Sequence, residues 1–246
     1  MSIPKIIHYC WFGGGAISPE NRKCMESWKK YCPDYKIMAW NEQNFEISQN
    51  RYAQQAYEAK KYAFVSDYVR LAVLYEYGGI YLDTDVELVR PLDELLELPG
   101  FMGFQTNNEV ATGLGFGARK GNSVVQALLR DYDALDFLKA DGSADLTPCP
   151  ERNTRALQAL GVRKDGTRQS IAEMEIFPAE YFCPMDFYSR ELRVTPKTYS
   201  IHRYAESWKP KPSAVSRILQ RLLKKHYYTW YCPLRGRIEG RLRKRT

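Results

Sequence analysis

The sequence contains no run of about 18 apolar residues, so no membrane-spanning helix is expected. It has no CxxC pair. The six cysteines, Cys10, Cys24, Cys32, Cys149, Cys183 and Cys232, are scattered, which argues against a zinc site or a disulfide framework and for buried or free thiols. Internal repeats and low-complexity tracts are also missing, which excludes a solenoid or an array. A composition of 44% hydrophobic and 26% charged residues excludes a disordered chain, and 246 residues suit one domain with a full core. The chain opens with strand-like Ile3-Pro4-Lys5-Ile6-Ile7 rather than a signal peptide. The expected location is therefore cytoplasmic, or peripheral at a membrane.

Acid is scarce at one end. From Lys209 to Thr246 twelve basic side chains face a single acid, Glu239, giving that stretch +11. The other 208 residues hold 24 bases and 28 acids, a net −4, so the overall +7 conceals a mildly acidic body and a basic tail. Within the tail, Val215, Ile218, Leu219, Leu222, Leu223, Tyr227 and Trp230 recur at helical spacing, with Arg217, Arg221, Lys224 and Lys225 on the other face. A C-terminal amphipathic helix is expected. Its chemistry suits an anionic bilayer surface better than nucleic acid, contact being expected through residues 213–246 at the inner face of the plasma membrane. The competing explanation is an ordinary terminal helix packed on the body.

The body reads as alternating strands and helices. Ile6–Phe12 forms an apolar run closed by Gly13-Gly14-Gly15, and Ser18-Pro19 opens a helix to about Lys30 with Ser18 as N-cap. Tyr35–Trp40 reads as a second strand, and Tyr52–Tyr77 as one long helix stopped by Gly78-Gly79. A strand, Ile80–Leu82, runs into Asp83-Thr84-Asp85. Further on come Gly100–Phe104, the glycine-rich stretch Thr112–Gly117 and a helix from about Ser123 to Tyr132. Residues 139–153, polar and proline-containing, read as a loop. The pattern predicts an α/β fold with a mostly parallel central sheet flanked by helices.

Asp83 and Asp85 carry the strongest chemical signal. Two carboxylates two residues apart at the end of a buried strand would point the same way at a sheet's carboxyl edge, where α/β proteins place ligands. They repel one another, so a divalent cation is their natural partner, and oxygen ligands suit Mg2+ or Mn2+. A solvated strand end is the competing explanation. Upstream, Asp67 and Arg70 lie three residues apart on one helix face, as a site pair or as a surface ion pair.

The unit Ser66-Asp67-x-x-Arg70, a helix, and Gly78-Gly79-Ile80-Tyr81-Leu82-Asp83-Thr84-Asp85 resembles the sugar-binding region of DXD glycosyltransferases of family thirty-two, and also the glucosyltransferase domains of large clostridial toxins. Ile6–Gly14 is similar to the family's opening strand, and Ile201–Trp208 to its late His…Ser-Trp element. The resemblance implies one GT-A-like domain over residues 1–208 with a basic appendage at 209–246. It implies Asp85 as direct metal ligand, Asp83 as a contact to ribose, donor sugar or metal-bound water, and Asp67 and Arg70 on the sugar hydroxyls. Trp11 would stack on the nucleotide base, and Ser207 and Trp208 would donate to the β-phosphate. His202 is either a neutral metal ligand or a satisfied core residue. Tyr81 is expected to pack under the strand.

The implied reaction is retaining transfer of a hexose from a nucleotide sugar, a UDP-sugar ahead of a GDP-sugar, to a saccharide or lipid-linked saccharide acceptor in capsular or surface polysaccharide synthesis. One departure stands out: the family has an asparagine before the Thr-Gly of the middle motif, whereas this chain has Ala111, with Asn107 and Asn108 out of register. Two alternatives compete. Leu82–Val86 also looks like the nucleophile motif of haloacid dehalogenase-type phosphatases, with Asp83 attacking phosphorus and Asp131, Asp133 or Asp136 as later acids. The other is a non-enzymatic protein whose basic tail binds a membrane or nucleic acid.

Overall fold

The computed structural model describes residues 2–187 and 189–205. The first strand, β1 (Ile6–Cys10), is followed by α1 (Pro19–Tyr31) and β2 (Lys36–Trp40). Ser18 caps α1 as the sequence suggests: its Oγ accepts from Asn21 N at 3.1 Å, with Pro19 at the first position. β1 lies parallel to β2 in the sheet, as a β-α-β unit requires.

The expected long helix is two helices, α2 (Arg51–Glu58) and α3 (Tyr62–Tyr77). Lys60 between them takes a left-handed backbone, φ 57°, which ends α2 and turns the chain. Periodicity missed this break because both helices present apolar faces, Tyr52, Ala53 and Ala56 on one and Val65, Val69 and Leu74 on the other. Gly78 stops α3 with φ 65°, where an added Cβ would lie 2.7 Å from Lys120 N, and the chain enters β3 (Gly79–Tyr81) at once.

The remaining elements are β4 (Val86–Leu88), β5 (Gly100–Phe104), β6 (Val110–Ala111), β7 (Phe116–Ala118), α4 (Ser123–Asp133), α5 (Cys149–Ala159), β8 (Gln169–Ile171), β9 (Met174–Phe177), α6 (Ala179–Phe182) and β10 (Ser200–His202). The main sheet runs β2-β1-β3-β7-β5-β9-β8, with β6 beside β5. Strands β1, β2, β3, β5 and β9 share one direction, and β6, β7 and β8 oppose it. The sheet is thus mixed but largely parallel, as expected of this α/β chain. β4 and β10 form a separate antiparallel pair.

One stretch expected as loop is helical: α5 begins at Cys149, with Pro150 in its first turn where a missing N–H costs nothing. The five cysteines among the described residues are free and buried, as expected of reduced thiols. No helix among the described residues is long and apolar enough to cross a membrane.

Candidate functional site

The site forms where β3 ends. β1 and β3 are parallel, with His8 opposite Tyr81, and Leu82 N donates to His8 O at 3.0 Å, so Trp11 and the Asp83–Asp85 segment emerge at one sheet edge. That segment follows directly on the strand end, as its spacing suggested, but it is folded into a turn. Val86 N donates to Asp83 O at 3.0 Å, closing a tight turn with Thr84 and Asp85 at its centre. The carboxylates converge through this turn rather than through strand alternation.

Ligand atoms of Asp83, Asp85 and His202 lie within 4.8 Å of one another. His202 arrives on β10, where it pairs with Val86 just after the turn. Its Nε2 is 3.2 Å from Asp85 Oδ1, and Asp85 also accepts from Ala205 N at 2.8 Å through Oδ2 and from Arg203 N at 2.9 Å through its carbonyl. Burial works to neutralise both side chains, but their charge attraction and hydrogen bond outweigh it, lowering the Asp85 carboxyl and raising the His202 imidazole. Nδ1 of His202 is buried without a partner. Two carboxylates and an imidazole are hard or borderline donors that fit Mg2+ or Mn2+.

Behind the turn lies Arg70, 6% exposed on α3. Its Nη2 is 3.1 Å from Asp67 Oδ1 and 3.3 Å from Asp83 Oδ1, so one guanidinium joins the two acids. This is not a surface ion pair. Nε donates to Ser66 O at 3.1 Å, and the cation rests over the Tyr81 ring at 4.9 Å. Burial depresses the tendency of Arg70 to hold its proton, yet Asp83, Tyr81 and Asp67 overcome it and keep the side chain charged. Burial also pushes the Asp67 carboxyl up to about 6 against the pull of Arg70.

Tyr81, expected only to pack, does more: its hydroxyl donates to Asp83 Oδ1 at 3.0 Å. Gly113 N-terminal to β7 supplies the carbonyl that accepts from Asp83 N at 3.0 Å. From the later part of the chain, α5 brings Cys149 and Asn153 against Thr112. Asn153 Nδ2 donates to Thr112 Oγ1 at 3.1 Å and to Cys149 Sγ at 3.2 Å, while Arg70 Nη1 lies 3.5 Å from the same hydroxyl. The reading of residues 139–153 as a loop hid these two. Pro150 and the polar run around it masked a helix that buries Arg152, Asn153 and Thr154 beside Cys149 and Leu157.

Trp11 is half-buried, its Nε1 donating to Gly15 O at 2.5 Å, while Gly13 N donates to Glu42 Oε1 at 3.0 Å. The glycine loop is thereby tied to its own tryptophan. Ser207, Trp208 and the basic amphipathic stretch 209–246 lie outside the described residues.

The site is thus an acid-bearing turn at the edge of an α/β sheet, backed by the buried Asp67–Arg70 pair. Residues 18–101 match the family described as glycosyltransferase sugar-binding region containing DXD motif. Inositol phosphoceramide mannosyltransferase 3 of Schizosaccharomyces pombe is 29% identical over 147 residues, 55% of this chain and 39% of its own length. Mannosyl phosphorylinositol ceramide synthase SUR1 of Saccharomyces cerevisiae is 33% identical over 111 residues, 41% of this chain and 27% of its own. The chain therefore spans less than half the length of these relatives. Among solved structures, the PaToxG glycosyltransferase aligns over 64% of this chain and 69% of its own, with a TM-score of 0.48 and 23% identity.

Proposed function

We propose that the protein is a metal-dependent, retaining glycosyltransferase of GT-A-like architecture that moves a hexose from a nucleotide sugar to a saccharide or lipid-linked saccharide acceptor. The observation that carries the reading is the convergence of Asp83, Asp85 and His202 within 4.8 Å, beside an Arg70 that bridges Asp67 and Asp83. A Mn2+ or Mg2+ ion held by those three residues would neutralise the leaving nucleoside diphosphate as a Lewis acid. Asp67 and Arg70 would orient the donor sugar hydroxyls, and Trp11 would cover the base with its indole face. Ser207 and Trp208 would donate to the β-phosphate. Asp83 is already engaged by Arg70 and Tyr81, so the reading assigns no enzymic nucleophile. In this reading the acceptor hydroxyl attacks the anomeric carbon from the face the diphosphate leaves, which gives retention. The bond to the phosphate oxygen breaks as the new glycosidic bond forms, and the hydroxyl proton passes to the departing phosphate.

In this reading residues 1–208 form the transferase domain. The basic stretch 213–246 attaches it to an anionic membrane on the cytoplasmic side, where capsular or surface polysaccharide is extended on lipid. The names of the two yeast relatives carry mannose and an inositol phosphoceramide, which supports a hexose donor and an acceptor bearing a lipid. As donor nucleotide we favour UDP over GDP.

The phosphatase alternative needs further acids near Asp83. Asp133 instead accepts from Asn50 Nδ2 at 3.1 Å, and Asp136 pairs with Arg51 at 2.6 Å, on the α2 side of α4. Incubation with UDP- and GDP-hexoses, with and without Mn2+, tests the proposal. The expected result is metal-dependent slow release of free sugar and nucleoside diphosphate, lost in Asp85→Ala. Release of inorganic phosphate from a monoester, with no turnover of any nucleotide sugar, would overturn it.

A further inference from the structure

The Asp83–Val86 turn is gripped from behind by α1. Asn21, in the first turn of that helix and 1% exposed, donates from Nδ2 to Thr84 Oγ1 at 2.9 Å. Thr84, itself buried, stands between the two carboxylate-bearing residues, and its side chain reaches α1 while theirs reach Arg70 and His202. Farther along the helix, Trp28 Nε1 donates to Val86 O at 2.7 Å and Ser27 Oγ accepts from Leu88 N at 2.8 Å. One helix face thus holds the chain from the turn into β4, the strand that pairs with His202.

Asn21 makes this contact at a cost. Its Oδ1 is buried and has no partner. Turning the amide over only exchanges the problem: the oxygen would accept from the Thr84 hydroxyl, and Nδ2 would be left unpaired. A buried polar atom without a partner disfavours folding, and an apolar side chain would fill this place without that loss. Packing therefore does not account for an asparagine here, whereas the bond to Thr84 does.

We propose that Asn21 is a positioning residue for the cation site, acting through Thr84 to fix the rotation of the turn and so the placement of Asp83 and Asp85 relative to His202. The inference rests on the metal-dependent reading above. Neither Asn21 nor Thr84 touches the ion in this scheme. Groups that orient metal ligands from outside typically change metal affinity by about 10–100-fold when removed.

The test is Mn2+ titration by isothermal calorimetry on the full chain, with the melting temperature of each variant measured alongside. Asn21→Ala and Thr84→Val are expected to bind Mn2+ at least ~10-fold more weakly than the unsubstituted protein. Thr84→Ser, which keeps the hydroxyl, is expected to bind as the unsubstituted protein does. The double variant should bind no more weakly than the worse single one, because both remove one bond. Variants that melt earlier yet bind Mn2+ normally would overturn the proposal and leave a structural hydrogen bond. If Asn21→Ala does not fold, equal affinity in Thr84→Val and Thr84→Ser overturns it equally well. An unsubstituted protein that binds no Mn2+ would instead sink the metal-dependent reading itself, before any variant is compared.

Discussion

Gly113 has no room for a side chain because the Asp83 carboxylate occupies that space: a Cβ there would lie 1.9 Å from Oδ2 and 3.2 Å from Arg70 Nη1. The backbone at Gly113 is not left-handed, so the constraint is steric contact with the site and not conformation. Gly113→Ala should therefore push the Asp83 carboxylate off Arg70 and Tyr81. The expected outcome is a stability loss of about 1–3 kcal/mol, as for overpacking, together with weaker Mn2+ binding. Urea denaturation and metal titration of the same variant measure both.

Asp67 gives the Arg70 pair a pH signature. Its carboxyl stands at about 6 in the folded protein, raised chiefly by burial, against about 4 in an unfolded chain. A raised acid contributes stability that is intact below the unfolded value and is lost as pH rises through the folded one. Wild type should thus lose up to about 3 kcal/mol relative to Asp67→Asn between pH 4 and pH 7. Parallel urea curves for the two proteins at pH 4.5 and 7.5 check this, and a difference that does not change with pH would contradict it.

What could be read in advance, and what could not, divides by range. Ser18 and Pro19 announce α1, and Gly78 announces the end of α3, because capping and glycine conformations are set by a few neighbouring residues. Asp67, Arg70, Asp83 and Asp85 stand out as a motif for the same reason. The turn that actually aims the carboxylates depends on Gly113 and on the antiparallel contact between β4 and β10, which no local pattern encodes. Tyr81 looked like packing because its ring is indeed buried; only the position of its hydroxyl reveals the bond to Asp83. Asn153 and Cys149 were hidden inside a segment whose proline and polar residues imitate a loop.

Lys60 marks a place where the chain accepts a poor conformation. It is exposed, its φ is 57°, and it links α2 to α3 through backbone bonds from Lys60 N to Tyr57 O at 2.9 Å and from Lys61 N to Ala56 O at 2.8 Å. Glycine keeps both bonds and removes the side-chain clash of the left-handed region. Lys60→Gly should raise stability by about 1 kcal/mol, offset in part by the entropy of a freer unfolded chain. Lys60→Val, which a left-handed position tolerates badly, should lower it, and thermal melts of the three proteins rank them.

His8 supplies a second pH dependence of opposite sign to that of Asp67. It is fully buried on β1, where one ring nitrogen, Nδ1, accepts from Trp40 Nε1 at 3.0 Å and the other lies 2.8 Å from Gly78 O. Because Trp40 can only donate, Nδ1 must be bare and the proton sits on Nε2, donating to Gly78 at the hinge between α3 and β3. Protonating Nδ1 would set two donors against each other in a dry environment, and burial accordingly lowers the imidazole to about 4. A depressed histidine contributes stability that is present above the unfolded value of about 6.5 and is lost as pH falls toward 4, to a depth of roughly 3 kcal/mol. His8→Gln keeps a donor and an acceptor but cannot titrate. It should be less stable than wild type at pH 7 by about 1–2 kcal/mol for imperfect bonds, and the gap should close or reverse by pH 4.5. Urea curves across that interval decide the matter, since a gap that stays constant with pH would mean that the ring is charged in the folded protein or that water reaches it.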